Sequence, residues 1–319
     1  MERLIIDGLA FALPLFIMAI GGIYCEKSGI TNLALEGLQG MGAFFGALSV
    51  VCLKDFFPEQ SLSLYFLALL FATLGGALYS LLHGLLCIKF QGNQVISGVV
   101  INILAVALSA FLTTYINKVV FGAPSNKFDL GVSPKFSVPV LSELPLVGAF
   151  FKDLYPFQIV IIFVAILAWY VLYHTKLGMD LRACGDNPHA IDAAGVNVAR
   201  VRLVGVMVSG ALSGLAGISF AYSISANFSS SIYVGYGYLS IAALIFGNWK
   251  ILPCLFSCLL FGFAKSGGFY LMTLLQLDSS YLDLTMTLPY ILTLLLLVFF
   301  SKYNRAPRAL GEVYQKGKR

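Results

Sequence analysis

The sequence predicts an all-α polytopic membrane protein with about nine crossing helices, within a range of eight to ten, some of them broken, and a short capped helix in a cytoplasmic loop. Composition is the first observation behind that fold class. Of 319 residues, 59% are hydrophobic and only 11% are charged, whereas a water-facing domain carries about a quarter charged residues. The mean hydropathy is +0.88. Apolar runs of bilayer length, roughly 20 residues on a helix, recur at 4–24, 65–88, 157–173 and 284–300. A segment in lipid must satisfy its own backbone hydrogen bonds. These runs lack the alternation of barrel strands, so helices are the solution that remains.

In chain order the segments fall at 4–24, 30–52, 62–88, 93–118, 157–174, 202–224, 232–249, 251–273 and 284–301. The first is expected to be retained rather than cleaved as a signal peptide. Glu2 and Asp7 spoil a basic leader, and Tyr24 before Cys25 is too large for a lipoprotein cleavage site. Cys25, Cys52, Cys87, Cys184, Cys254 and Cys258 are scattered without a Cys-x-x-Cys pair. No disulfide framework or metal site is therefore expected, and the thiols should act as small hydrophobes.

Orientation comes from the tail, 302–319, where Lys302, Arg305, Arg308, Lys316, Lys318 and Arg319 face one acid, Glu312. Basic flanks stay in the cytoplasm, so the tail is expected there. Four crossings back lies the loop 175–202, which carries Lys176, Arg182, Arg200 and Arg202 and is assigned to the same side. The segment 119–156, with Pro124, Pro134, Pro139, Pro145 and Pro156, is then extracytoplasmic. A connection of that length suits a docking surface for an external partner. The whole chain, 1–319, reads as one transmembrane domain. Its surplus of positive charge sits where topology requires it, so nucleic acid is not an expected partner.

Three stretches carry more than hydropathy. Within 28–44, Asn32, Glu36 and Gln39 stand at helical spacing among Gly37, Gly40 and Gly42. A carboxylate at mid-membrane costs about 2.5–3.5 kcal/mol on insertion scales. Glu36 should accordingly face a cavity or a partner or be protonated, or else lie near the cytoplasmic end beside Lys27 and Ser28 as a helix-cap or ion-pair residue. In the loop 175–202, Asn187 and Pro188 read as N-cap and first helical residue and Gly195 as the stop, giving two turns over 188–194. Its alanine-rich body suits a groove on another protein. The third stretch, 233–249, is a second short, glycine-interrupted membrane segment. Paired short segments in the two halves of a chain point to an internal repeat with the pathway at its interface.

The runs 32–44, 177–198 and 242–249 resemble the permease superfamily of ATP-driven importers for branched-chain amino acids, monosaccharides and nucleosides, a likeness that covers nearly the whole chain. Sugar permeases of that superfamily typically carry Asp-Leu-Ser-Val-Gly in the second helix. Here Asn32-Leu33-Ala34-Leu35-Glu36-Gly37 is similar to the nucleoside branch. The resemblance implies a purine or pyrimidine nucleoside as cargo, with riboflavin or a simple sugar as alternatives. It also implies a second related permease, a cytoplasmic ATPase with two nucleotide-binding halves that holds ATP and Mg, and an extracytoplasmic substrate-binding lipoprotein. The loop would then be the coupling element, with Gly178, Arg182, Gly185, Asn187, Pro188, His189, Ala190, Ala193, Ala194 and Gly195 as its residues.

Candidate pathway residues are the hydrogen-bonding groups Asn32, Glu36, Gln39, Asn93, Gln94, Ser97 and Asn102 and the rings of Phe44, Phe220, Tyr222 and Phe228, which could stack on a flat base. His83 and Lys265 lie in apolar segments and are read as snorkelling or helix-end residues. No Gly-x-x-x-x-Gly-Lys-Ser/Thr loop is present, so another subunit must grip ATP, and this chain needs no cofactor of its own. Ala211-Leu212-Ser213-Gly214 only loosely matches a nucleophile motif, and no His-Glu-x-x-His exists, which argues against an enzyme. An ion-coupled secondary transporter would share the hydropathy but would have no use for a capped loop.

Overall fold

A computed structural model describes residues 2–58, 61–122, 124–131, 134–144, 148–233, 235–276, 281–300 and 304–316. Pro145, Lys302, Lys318 and Arg319 lie outside them. Seven helices are long and apolar enough to cross a membrane: α1 (Glu2–Lys27), α2 (Leu35–Leu53), α3 (Leu62–Gly84, continued by a π-turn at Leu85–Lys89), α4 (Gln94–Val120), α5 (Pro156–His174), α8 (Val198–Ile224) and α10 (Ile251–Leu274). The remaining apolar segments expected from the sequence form shorter helices, α9 (Tyr236–Phe246) and α12 (Leu288–Phe300), the latter preceded by α11 (Leu282–Met286). Two helices, α6 (Lys176–Asp186) and α7 (Pro188–Ala193), fill the loop between α5 and α8. The chain is a multi-pass, all-α membrane protein with seven helices of crossing length among the described residues, and α9 and α12 are shorter than these.

Local chemistry explains many of the boundaries. Asn93 caps α4 by accepting from the amides of Val95 and Ile96 at 3.0 and 3.1 Å, and Pro156 opens α5 at a position where its missing N–H costs nothing. One boundary differs from expectation. Residues 28–34 are not helical, so Asn32 does not share a helix with Glu36 and Gln39. The Thr31 amide donates to Gln94 Oε1 at 2.6 Å, and the Thr31 carbonyl lies 3.3 Å from His83 Nε2. Side chains from α3 and α4 thus engage backbone groups that a helix would have used internally.

The core is built on α1, α2 and α8, whose apolar stretches are 67%, 83% and 72% buried; α3, α4, α5 and α10 surround them at 33–39%. Small residues set the inner crossings. A Cβ on Gly214 of α8 would overlap the Ala72 carbonyl oxygen of α3, and one on Gly42 of α2 would overlap Gly214 itself. Lipid offers no hydrophobic drive for helices to associate, so close backbone approach and dispersion contacts hold this centre. The outward faces of α3 and α4 carry exposed Leu70, Leu74, Leu78, Val99, Ile103 and Phe111, as a lipid boundary requires.

At one end of the bundle, β1 (Lys127–Asp129) pairs antiparallel with β2 (Asn227–Ser229), Phe128 opposite Phe228. This pair and the bridge Phe136↔Leu154 order much of 119–156. Lys152 meets Glu2 at 2.9 Å, which puts the start of α1 at that end too. At the opposite end the tail, 304–316, lies across α6. Ala309 N donates to Gly185 O at 2.8 Å, and Gly311 N donates to Gly29 O at 3.1 Å. The loop 175–202 and the tail therefore share one side of the bundle. The set α1–α4 and the set α8, α9, α10, α12 traverse the bundle in opposite senses, each with a broken second member, the pattern of an inverted repeat.

Replacing Gly214 with leucine should lower the melting temperature of the detergent-solubilised chain, since overpacking costs about 1–3 kcal/mol. The same change at Gly267, whose Cβ would meet nothing within 4 Å, should leave it nearly unshifted.

Candidate functional site

Two short-range breaks, at 28–34 and before Gly235, bring two helix N-termini together deep in the bundle. Gly235 takes φ +89°, a backbone state that a side chain would resist, and α9 starts immediately after it. The first amides of α9 find their acceptor on α2: Glu36 Oε1 accepts from Gly235 N at 2.8 Å and Oε2 from Gly237 N at 2.5 Å. The start of α2 is served in return by α4, whose Asn102 Oδ1 accepts from Gly37 N at 2.7 Å. Asn102 Nδ2 donates to Leu33 O at 2.8 Å and to Tyr238 Oη of α9 at 3.1 Å. Glu36 is buried. It neither faces a cavity nor caps its own helix end; it neutralises the positive end of another helix.

Asn32 and Ser97 are joints of the same kind. Asn32 is fully buried and donates to Ser209 Oγ of α8 at 2.7 Å. Ser97 Oγ lies 2.8 Å from His83 Nδ1, so His83 is a buried link between α3 and α4 and not a snorkelling residue. Gln39 is buried against α8, where Gly217 makes room for its backbone carbonyl, and among the described residues its side-chain amide makes no hydrogen bond. Phe44 and Phe228 form a sealed cluster with Phe128 under the strand pair, with ring centroids 5.8–6.3 Å apart. Tyr222 leans on Tyr65 at 4.4 Å beside a cavity of only about 50 Å³.

A larger cleft of about 300 Å³ opens at the strand-pair end, between α1, α8, α9, α10 and the α11–α12 turn. Phe220 is the one pathway candidate that lines it. Phe11, Phe220 and Tyr236 pack together at its base with centroids 4.8–5.3 Å apart. Lys265 stands over them: its Nζ donates to Tyr236 Oη at 2.6 Å and lies 3.9 Å from the Phe11 centroid and 4.4 Å from that of Tyr236. The lysine is thus neither at a helix end nor reaching for the surface. Its position well inside an apolar helix was the available signal, since α10 runs from Ile251 to Leu274.

At the opposite end, α7 matches the expected capped helix. Asn187 Oδ1 accepts from Ala190 N at 3.1 Å, Pro188 is the first helical residue, and Gly195 has φ +84°. The residues assigned to coupling divide into two groups. Gly178 packs on the α5 carbonyls of Val171 and Leu172, and Gly185 packs on the Lys27 backbone. Arg182 lies over the Tyr173 ring, and the His189 ring meets Tyr314 of the tail at 5.2 Å. Ala190, Ala193 and Ala194 are exposed, while Pro188 and Ile191 are buried. Arg202, expected as a loop charge, is a buried α8 residue that donates through Nη1 to Glu312 O at 3.0 Å.

A many-helix membrane core with discontinuous helices meeting at mid-depth, and a rigidly held small-residue helix exposed at one end, defines a transport permease. Residues 4–300 match the family of branched-chain amino acid transport system permease components, and the chain belongs to that family. It is 38% identical to the guanosine ABC transporter permease protein NupQ of Bacillus subtilis, over 98% of this chain and 96% of that protein. It is 36% identical to the nucleoside ABC transporter permease protein NupC of Lactococcus lactis, over 100% and 98%. A more distant likeness, 25% over 78% of this chain and 69% of the relative, joins it to NupP, another guanosine ABC transporter permease protein of Bacillus subtilis. No solved structure matches it.

Removing the Glu36 acceptor leaves two amides without a partner, at about 1–3 kcal/mol each. Glu36→Ala should therefore melt well below the wild type, and Glu36→Gln, which keeps one carbonyl acceptor, should fall between them in thermal unfolding.

Proposed function

We propose that the chain is the membrane-spanning subunit of an ATP-driven importer that carries nucleosides inward across the bacterial cytoplasmic membrane. The observation that carries this reading is identity of 36–38% along essentially the whole chain to permeases named for guanosine and nucleoside transport. Bacillus subtilis has two related chains named for guanosine transport, NupQ and NupP, which supports a second, non-identical permease as the partner here.

In this reading the tail and the loop 175–202 face the cytoplasm, and 119–156 faces outward to receive a substrate-binding lipoprotein. ATP and Mg belong to a separate ATPase with two nucleotide-binding halves, and this chain performs no hydrolysis. The α7 helix is the coupling element. Its alanine face is open to a groove on the ATPase, while Gly185 and Arg182 fix α6 to the membrane core. Movement imposed on α7 then passes into α1 through Gly185 and into α8 through the shared loop. The Glu36 junction transmits the shift to both broken helices, and the bundle changes access as packed bodies rather than by bending.

The test is uptake of radiolabelled nucleosides into proteoliposomes that hold this chain with its partner permease, ATPase and binding protein. Accumulation is expected only with internal ATP. Accumulation of riboflavin or a sugar instead would replace the cargo, and ATP-independent uptake by this chain alone would overturn the importer. Ala193→Trp, on the exposed face, should cut uptake at least about tenfold while the chain still inserts and melts normally, as truncation or obstruction of an interface centre does. Wild-type uptake by that variant would remove α7 from the coupling role.

A further inference from the structure

The cleft over Lys265 has a chemistry that family membership does not explain. Its volume, about 300 Å³, is at the lower edge of the roughly 300–1,000 Å³ typical of small-molecule sites. That is room for one small ligand. Among the described lining residues the charged side chains are Lys265 and Lys127, with no carboxylate. The described residues place no acid within ion-pair distance of Lys265. Its ammonium group has three protons to give and no lone pair to offer. One proton goes to Tyr236 Oη, and the ring faces of Phe11 and Tyr236 supply diffuse negative charge. The Tyr236 oxygen accepts that bond, which leaves its own O–H to donate. The deep end of the cleft is therefore a cluster of donors on an aromatic floor.

We propose that this cleft is a binding station for nucleosides whose base carries a carbonyl at purine C6 or pyrimidine C4, such as guanosine, inosine or uridine, with Lys265 Nζ and Tyr236 Oη donating to that oxygen. The proposal rests on the nucleoside reading above and adds a selectivity to it. Guanine presents O6 and N7 as adjacent acceptors and a uracil-type base presents O4, whereas adenine and cytosine put an amino group at the corresponding edge. An amino group pointed at an ammonium group has only protons to offer, so the site turns it away. The walls fit the rest of the molecule: Leu239, Met286 and Pro289 flank a flat ring, and Ser225, Asn227 and Ser231 at the rim can both donate to and accept from ribose hydroxyls. A doubly charged phosphate ester would satisfy the lysines but would place its charge on the Phe11 and Phe220 rings. A neutral nucleoside avoids that conflict.

The experiment is competitive uptake into proteoliposomes that hold the complete importer, with one binding protein throughout. Guanosine is set against adenosine, and uridine against cytidine, for the wild type and for Lys265→Met, Lys265→Arg and Tyr236→Phe. The wild type is expected to favour guanosine and uridine. Lys265→Met should reduce that preference about tenfold or more, the scale of one charge-assisted hydrogen bond. Tyr236→Phe should reduce it less, and Lys265→Arg should restore most of it, which simple repacking would not do. Wild-type ratios in both Lys265→Met and Tyr236→Phe would overturn the assignment while leaving the nucleoside importer intact. Should Lys265→Met fail to assemble, the Tyr236→Phe ratio decides alone. Preferential uptake of nucleoside monophosphates would overturn the neutral-ligand assignment. Absence of any nucleoside uptake by the wild type would overturn both readings.

Discussion

Two helices that begin inside a membrane bring a shared difficulty: each exposes amides that water cannot reach, and each points the positive end of its dipole at the other. The Glu36 carboxylate meets both requirements at once, because it is held in the first turn of α2 and accepts the first amides of α9. Asn102 closes the arrangement from α4 by serving α2 and touching Tyr238 of α9. The break before α2, the turn at Gly235 and Asn102 of α4 thus form one junction. The junction joins the two halves of the chain at a point where each would otherwise be unsatisfied.

The glycine crossings around α8 follow from the same constraint. A buried polar joint of this kind tolerates little displacement, since a hydrogen bond weakens steeply with misalignment. Close contact between α2, α3 and α8 through Gly42, Gly76, Gly210 and Gly214 keeps the inner helices in fixed register around it. Peripheral helices carry no such burden and present leucine, valine and phenylalanine to lipid.

How much of this is legible in the sequence depends on whether the cause is local. Fold class and most helix limits come from apolar length and from caps that lie within a few residues, as with Asn93, Pro156 and the pair Asn187–Pro188. The α7 helix and its Gly195 stop are of that type. The partner of Glu36 is not, because its acceptor bonds go to residues about 200 positions away. Leu33-Ala34-Leu35 looks helical by its apolar residues, but the helix begins only at Leu35, because the Thr31 backbone is claimed by His83 and Gln94 and the Leu33 carbonyl by Asn102, all from other helices. Lys265 carried a readable sign, a cation well inside an apolar helix, but its meaning depends on the rings of Phe11 and Tyr236 contributed by α1 and α9.

The tail, 304–316, is a strap with anchorage on several elements. Beyond its contacts with Gly185 and Gly29, Arg305 N donates to Asn248 Oδ1 at 2.8 Å, Arg202 holds Glu312 O, and Gln315 Nε2 donates to Gln91 Oε1 at 3.1 Å. These anchors belong to the ends of α1, α3, α6, α8 and α9, and the strap itself is synthesised after all of them. Completion of that face of the molecule therefore follows synthesis of the helices that the strap ties together. A chain whose helices have inserted but whose tail is still in the ribosome lacks the strap that holds α6, and with it the α7 face, in place. The order of synthesis thus places the fixing of the α7 face after the helices that the strap ties together.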